Sequence, residues 1–277
     1  MRGAPGDGCP YRDYIGRRAA EWIATIPDDF PWHYFVSFVG PHDPFDAPKE
    51  YADRYRTASM PAPIPSLTSG KSTAYSSRQS KMDPDEIEET RRMYCAAVEL
   101  IDDQIGLILE ALDNRNMLEN TVIVFTSDHG EMLGDHGLYS KSFGYEQSIR
   151  VPLLIAGPNI PRGRTSEGLV ELIDINPTIC EASGLPRQEG IDAISLLPLL
   201  RGETETHRDD AYSALAGFRS MRTDAHKLIE NYNDWSELYD LVNDPWETTN
   251  LSGESSAIES ELRDRMHKRL TEAKWQR

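Results

Sequence analysis

At 277 residues, with 39% hydrophobic and 27% charged content, the chain is long enough for one large globular domain or a large and a small one. Its net charge of −17 repels nucleic-acid backbones and anionic membrane surfaces, so nucleic acid is not expected as a partner. No apolar run reaches the length of a membrane span, and Met1-Arg2-Gly3-Ala4-Pro5-Gly6 holds no apolar signal core.

The first ten residues read as a loop, with Cys9 as an exposed thiol. Tyr14 to Ile26 reads as a helix with Ile15, Ala19, Trp22, Ile23 and Ile26 on one face. His33 to Val39 is a nearly continuous apolar run, which predicts a central strand ended by Gly40-Pro41-His42-Asp43-Pro44. Residues 46 to 82 are rich in Pro, Ser and Tyr and show little periodicity, so a long surface excursion is expected. At Asp83-Pro84-Asp85-Glu86 a helix begins, with Asp as cap and Pro in the first turn, and its core spacing runs to about Leu112. Cys95 falls in this helix and Cys180 in a later one, both read as buried small apolar residues.

Thr121 to Thr126, Val151 to Ala156 and Gly168 to Ile173 read as further strands, and Asp174-Ile175-Asn176-Pro177 opens a short helix. Strands alternating with helices predict an α/β fold with a largely parallel central sheet flanked by helices. Beyond Arg201 the pattern changes to short strand candidates at 211–220, 220–224, 227–232 and 237–241. These predict a small antiparallel sheet, followed by an amphipathic helix from Ser256 to Lys274. The domain boundary is therefore placed between residues 1–205, the α/β part, and 206–277, a small C-terminal α+β subdomain.

The densest chemistry follows the strand at 121–126. Asp128 and His129 offer an oxygen and a nitrogen donor, a set suited to Ca²⁺, Mn²⁺ or Zn²⁺ rather than to a thiolate-preferring metal. The same pair also fits a turn-capping Asp beside a packed imidazole. His42, between two prolines, is placed to donate to an anionic oxygen or to act as a general acid, and a surface loop His is the plainer alternative. Lys141 is a cation downstream of the Asp-His pair, or simply a solvated charge. Asp135 and His136 can form a pair that orients a ligand, or a turn Asp with an adjacent His. Asp102-Asp103 lies mid-helix, where neighbours point apart, and reads as structural; Trp235 and Trp246 read as core or interface fillers.

Taken in order, Phe35 to Pro44, Thr121 to Gly137, Lys141, Tyr145 to Leu153, Leu238-Tyr239-Asp240-Leu241 and Asn243-Asp244-Pro245-Trp246-Glu247 resemble the sulfatase family of the alkaline phosphatase superfamily. The resemblance implies that Asp128 and His129 bind a divalent metal, usually Ca²⁺, and that His42 and Lys141 contact the sulfate group. Many members carry Asn where this chain has His129; the His form also occurs in phosphonate monoester hydrolase relatives, which implicate Mn²⁺. The family nucleophile is a formylglycine made from the Cys or Ser of Cys/Ser-x-Pro-x-Arg. Cys9-Pro10-Tyr11-Arg12 has Pro and Arg one position too early, so the chain is similar to a C-terminal portion of a sulfatase. The resemblance implies sulfate-ester hydrolysis by the complete enzyme and a sulfated small molecule or glycan as ligand. It also implies dependence on an N-terminal half or on a homo-oligomer. The alternatives are a phosphonate or phosphate ester hydrolase of the same superfamily, and a non-catalytic protein that binds a sulfated ligand.

Overall fold

The computed structural model describes residues 12–66, 70–186 and 188–272, so Cys9 and the last two positions of the helix expected from Ser256 to Lys274 lie outside the described residues. The chain forms two compact units: Met1–Pro63 with Lys81–Thr121, and Ile64–Ser80 with Val122–Arg277.

In the first unit α1 (Arg12–Thr25) packs along α4 (Pro84–Asn114), and the short α2 (Lys49–Tyr55) packs on α4 as well. The periodicity read from the sequence is the buried one, with Ala19 and Ile23 of α1 and Ala97, Leu100 and Leu112 of α4 withdrawn from solvent. A second cluster joins Tyr51 of α2 to Ala96 and Leu100. The start of α4 is a full capping box: the Asp83 carboxylate accepts from Glu86 N, and the Glu86 side chain accepts from Asp83 N. Arg115 donates to the carbonyls of Ile23 and Ile26, groups that the end of α1 leaves without helical partners. Asp103 accepts from Tyr51 Oη at 2.8 Å, the structural role expected for the Asp102-Asp103 pair.

The strand expected at His33–Val39 is not formed. No ladder reaches these residues, and Phe35 and Val39 are 81% and 72% exposed. An apolar run becomes a strand only when a neighbouring strand supplies its hydrogen bonds.

In the second unit β1 (Ile123–Thr126) pairs antiparallel with β2 (Leu153–Ala156), in the register Ile123 with Ala156 and Thr126 with Leu153. No parallel ladder occurs among the described residues; between β1 and β2 the chain folds back through α5 (Glu146–Ile149) instead of crossing over. The strand expected at 168–173 is reduced to one bridge, Leu169 to Arg208, before a 3-10 turn at Leu172–Asp174 and α6 (Ile175–Ala182). Four short helices fall outside the periodic segments of the sequence: α2, α3 (Thr73–Ser77), α5 and α7 (Leu197–Arg201).

The C-terminal pattern is the one expected. The strands β3 (Ala211–Leu215), β4 (Phe218–Arg222), β5 (His226–Asn231) and β6 (Glu237–Asp240) form an antiparallel meander, followed by α8 (Ser256–Glu272). Alternation sorts its two faces. Phe218, Ile229 and Tyr239 pack on Met132, Leu138, Phe143 and Tyr145 of the long loop after β1. Met221, Leu228 and Leu238 pack on Leu262 and Met266 of α8. Trp235 and Trp246, expected as fillers, are 73% and 60% exposed, and Cys95 and Cys180 are partly rather than fully buried.

Candidate active site

The site begins where β1 ends. Thr126 Oγ1 donates to Pro152 O at 2.8 Å, tying the end of β1 to the approach to β2. Asp128 Oδ1 accepts from His129 N at 3.0 Å, and Ser127 Oγ donates to His129 O at 2.8 Å, so the turn is closed by its own side chains. Gly130 N donates to Ser148 O at 2.8 Å. A Cβ on Gly130 would lie 2.1 Å from Gln147 O, so only glycine permits this approach of the backbone to α5.

This closure orients the imidazole. His129 Nδ1 lies 2.7 Å from Gly130 O, and because a carbonyl only accepts, Nδ1 carries the proton. The lone pair of the neutral ring is then on Nε2, which lies 3.6 Å from Asp128 Oδ2. A backbone carbonyl holding one ring nitrogen while the other faces a ligand is the usual support of a metal-binding His. Donors bound to one divalent ion at about 2.0–2.6 Å lie within about 5 Å of each other, and the Asp128–His129 separation meets that limit. The Asp128 carboxylate is 86% exposed and therefore accessible. The residues present thus fit a divalent ion as a pair of donors. No cluster of three or more His, Cys, Asp or Glu donors occurs among the described residues, so further donors are needed to complete a shell.

After Glu131 the chain makes a tight excursion. Leu133, Gly134, His136, Gly137, Ser140 and Ser142 all have left-handed backbone angles. Met132 N donates to Ser140 O and Gly134 N to Leu138 O, and a Glu131 carboxylate oxygen accepts from Ser140 N. Lys141 sits at the end of this excursion, partly exposed. Asp135 Oδ1 accepts from Ile64 N at 2.8 Å, and the fully buried His136 ring stacks on Tyr145 at 4.8 Å. Burial, and then the nearby Lys71 charge, push the His136 imidazole down to about 4. His42 belongs to the other compact unit, where its Nδ1 lies 2.8 Å from Asp43 O and 2.9 Å from Asp43 Oδ1.

Sequence reasoning missed Arg78. It lies in the segment read as a featureless excursion, and its guanidinium donates to Lys141 O and Ser142 O. It missed Lys71 as well, whose buried ammonium donates to Tyr145 Oη, Tyr239 Oη and Glu237 Oε2. Neither has a motif neighbour in the sequence; only an isolated cation among polar residues was visible.

Residues 9–185 match the Sulfatase family model, well over half of the chain. The chain belongs to the sulfatase family. Residues 134–276 also match the model described as N-sulphoglucosamine sulphohydrolase, C-terminal. The choline-sulfatase of Rhizobium meliloti is 32% identical over 238 residues, covering 80% of this chain and 46% of that protein. A multifunctional alkaline phosphatase superfamily protein of Trinickia caryophylli is 33% identical over 288 residues, covering 88% of this chain and 56% of that protein. The chain thus spans about half the length of these curated relatives. Among solved structures, a protein in complex with its substrate D-glucosamine-2-N,6-O-disulfate superposes with a TM-score of 0.86 at 24% identity, covering 95% of this chain and 70% of that one. The phosphonate monoester hydrolase of Agrobacterium radiobacter superposes with a TM-score of 0.82 at 25% identity, covering 98% and 64%. The fold is accordingly the α/β, alkaline phosphatase-like one expected from the sequence. Family membership implies a divalent metal and formylglycine in general terms. No helix among the described residues is long and apolar enough to cross a membrane.

Proposed function

We propose that this chain carries the metal- and anion-binding part of a sulfatase active site, and that the complete enzyme hydrolyses sulfate esters. The observation that carries the reading is the Asp128–His129 pair, with Nδ1 of His129 committed to Gly130 O and Nε2 facing Asp128 Oδ2. In this reading Asp128 and His129 bind the divalent ion, Ca²⁺ first and Mn²⁺ second, and the ion supplies Lewis-acid stabilisation of oxygen charge. Lys141 and His42 stabilise charge on the sulfuryl oxygens, and a protonated group assists the leaving alcohol. Asp135 and His136 act at a distance, by fixing the loop that carries Lys141. The ligand is a sulfated small molecule or glycan, a class supported by the glucosamine disulfate in the superposing structure. Residues 206–277 form a C-terminal subdomain in this scheme, supported by the separate apolar cluster that its sheet shares with α8.

No Cys/Ser-x-Pro-x-Arg occurs in these 277 residues, so the chain by itself is expected to show negligible aryl-sulfate hydrolysis and weak metal affinity. Calorimetric titration with Ca²⁺ and with Mn²⁺, on the wild type and on Asp128→Asn, tests the metal pair. Equal binding by the two proteins sinks it. Turnover of an aryl sulfate at an ordinary enzymatic rate sinks the account of the nucleophile. A second reading, phosphonate or phosphate ester hydrolysis, is favoured by His129 itself and by the superposing phosphonate monoester hydrolase. Parallel assays of sulfate, phosphate and phosphonate esters on the full-length protein separate the two. Binding of a sulfated glycan without turnover there supports the non-catalytic alternative.

A further inference from the structure

Residues 64–66 and 70–80 form a strap on the loop that bears Lys141. Ile64 N donates to Asp135 Oδ1 at 2.8 Å, and Ile64 O accepts from His136 N at 2.8 Å. Ser66 Oγ occupies the place where a Cβ on the left-handed Gly137 would fall, 2.1 Å away. Tyr75 Oη donates to His136 O at 2.6 Å, and Ser80 N donates to Gly137 O at 2.7 Å. The strap is itself pinned by Lys71, 3% exposed, among the hydroxyls of Tyr145 and Tyr239 and the Glu237 carboxylate.

At the end of the strap Arg78 reaches the two carbonyls that follow the Lys141 and Ser142 α-carbons, at 2.6 and 3.2 Å, while its guanidinium lies 3.8 Å from the Phe143 ring centroid. Lys141 sits between Ser140 at φ 67° and Ser142 at φ 75°, both in the left-handed region that L-residues rarely occupy. Such a conformation persists only where surrounding bonds hold it. A planar fork suits two adjacent carbonyls and an aromatic face at once; a lysine ammonium in its place does not span them. We propose that Arg78 is a positioning residue for Lys141, fixing the backbone on either side of it so that the ammonium is presented to an anionic sulfuryl group. This rests on the reading of Lys141 as a sulfate contact.

The test follows sodium sulfate binding to the chain at constant ionic strength through the amide NMR signals of residues 139–143. The proteins are the wild type, R78A, R78K, K141A and the R78A/K141A double variant. R78A and K141A are each expected to weaken sulfate affinity by about fivefold or more, the scale of a lost charge-assisted contact. The double variant is expected to be no weaker than K141A, because Arg78 acts through Lys141; a merely structural contribution would add. R78K, which keeps the charge, is expected to lose as much as R78A, and it carries the test if R78A does not fold. Wild-type affinity in R78A or R78K, with K141A weakened, overturns the positioning role and leaves the Lys141 reading standing. Additive losses in the double variant overturn it too. Wild-type affinity in K141A, or no sulfate response in the wild type, overturns the Lys141 reading and this inference with it.

Discussion

His136 offers a quantitative check on the interior of the second unit. Its ring is wholly buried against Tyr145, and neither ring nitrogen has a hydrogen-bond partner among the described residues. Burial first, and the Lys71 charge second, lower its pKa from 6.5 to about 4, with Asp244 opposing. A depressed value in the folded state means that the unfolded chain takes up this proton near pH 6.5 while the native protein refuses it until about pH 4. The stabilisation is therefore complete above pH 6.5 and is lost as pH falls toward 4, at about 1.4 kcal/mol per pH unit, for a total of about 3 kcal/mol. Urea unfolding between pH 7 and pH 4 should show the wild type losing about that much more stability than His136→Asn. Asn is chosen because it tolerates the left-handed φ of 56° at this position. Other carboxylates titrate in both proteins and cancel in the comparison. Parallel stability curves for the two proteins would refute the argument, because they would mean that the buried ring gains its proton as easily folded as unfolded.

Three further substitutions test the frame around the site. Gly130→Ala places a methyl 2.1 Å from Gln147 O and should destabilise by about 1–3 kcal/mol in denaturant titrations, with loss of metal binding if the turn shifts. Asp174→Ala removes the fully buried carboxylate that accepts from Arg208, His207 and the amides of Ile194 and Glu171, leaving the buried Arg208 cation with the Asp192 carbonyl and a longer contact to Glu171 at 3.8 Å; about 3–5 kcal/mol should be lost in urea unfolding. Asp83→Ala breaks the capping box of α4 and should cost about 1 kcal/mol in thermal or denaturant unfolding.

The sequence exposed elements whose stabilising partners lie on the same element or on the next one. α4 carries its own cap and its own apolar stripe, and the β3–β6 meander alternates cleanly because each strand pairs with its sequence neighbour. The turn at Asp128–His129 is closed locally by Ser127 and Gly130, which the sequence places beside it, while its tie to Ser148, 18 residues on, was not visible. What failed depended on distant partners. His33–Val39 has strand composition but no ladder, and the run at 168–173 makes only one bridge. The short helices α2 and α3 were lost in a Pro- and Ser-rich stretch because each is held by tertiary contact, Tyr51 against α4 and Tyr75 against His136. Asp135 and His136, read from the sequence as a pair that orients a ligand or as a turn Asp beside a His, meet Ile64 through the Asp135 carboxylate and the His136 amide, a contact spanning 71 residues for Asp135 that no local pattern announces.

The cations of the second unit can be sorted by what they touch. Lys71 faces Glu237, Lys227 faces Glu146 and Glu247, and Arg208 faces Asp174 and Glu171. Each of these charges is met by at least one carboxylate, so they hold the fold together and contribute little net field to a ligand. Arg78 differs, since the oxygens it grips belong to carbonyls, which orient it without neutralising it. In a chain of net charge −17, an anionic group is drawn only to a place where positive charge survives locally. In the proposed reading Lys141 supplies that charge, and Arg78 holds the backbone that presents it. Attraction of this kind is screened by salt, so sulfate affinity at the loop should fall steadily as ionic strength rises. A salt-independent affinity would mean that hydrogen-bond geometry alone captures the anion, and that the charge of Lys141 has no part in it.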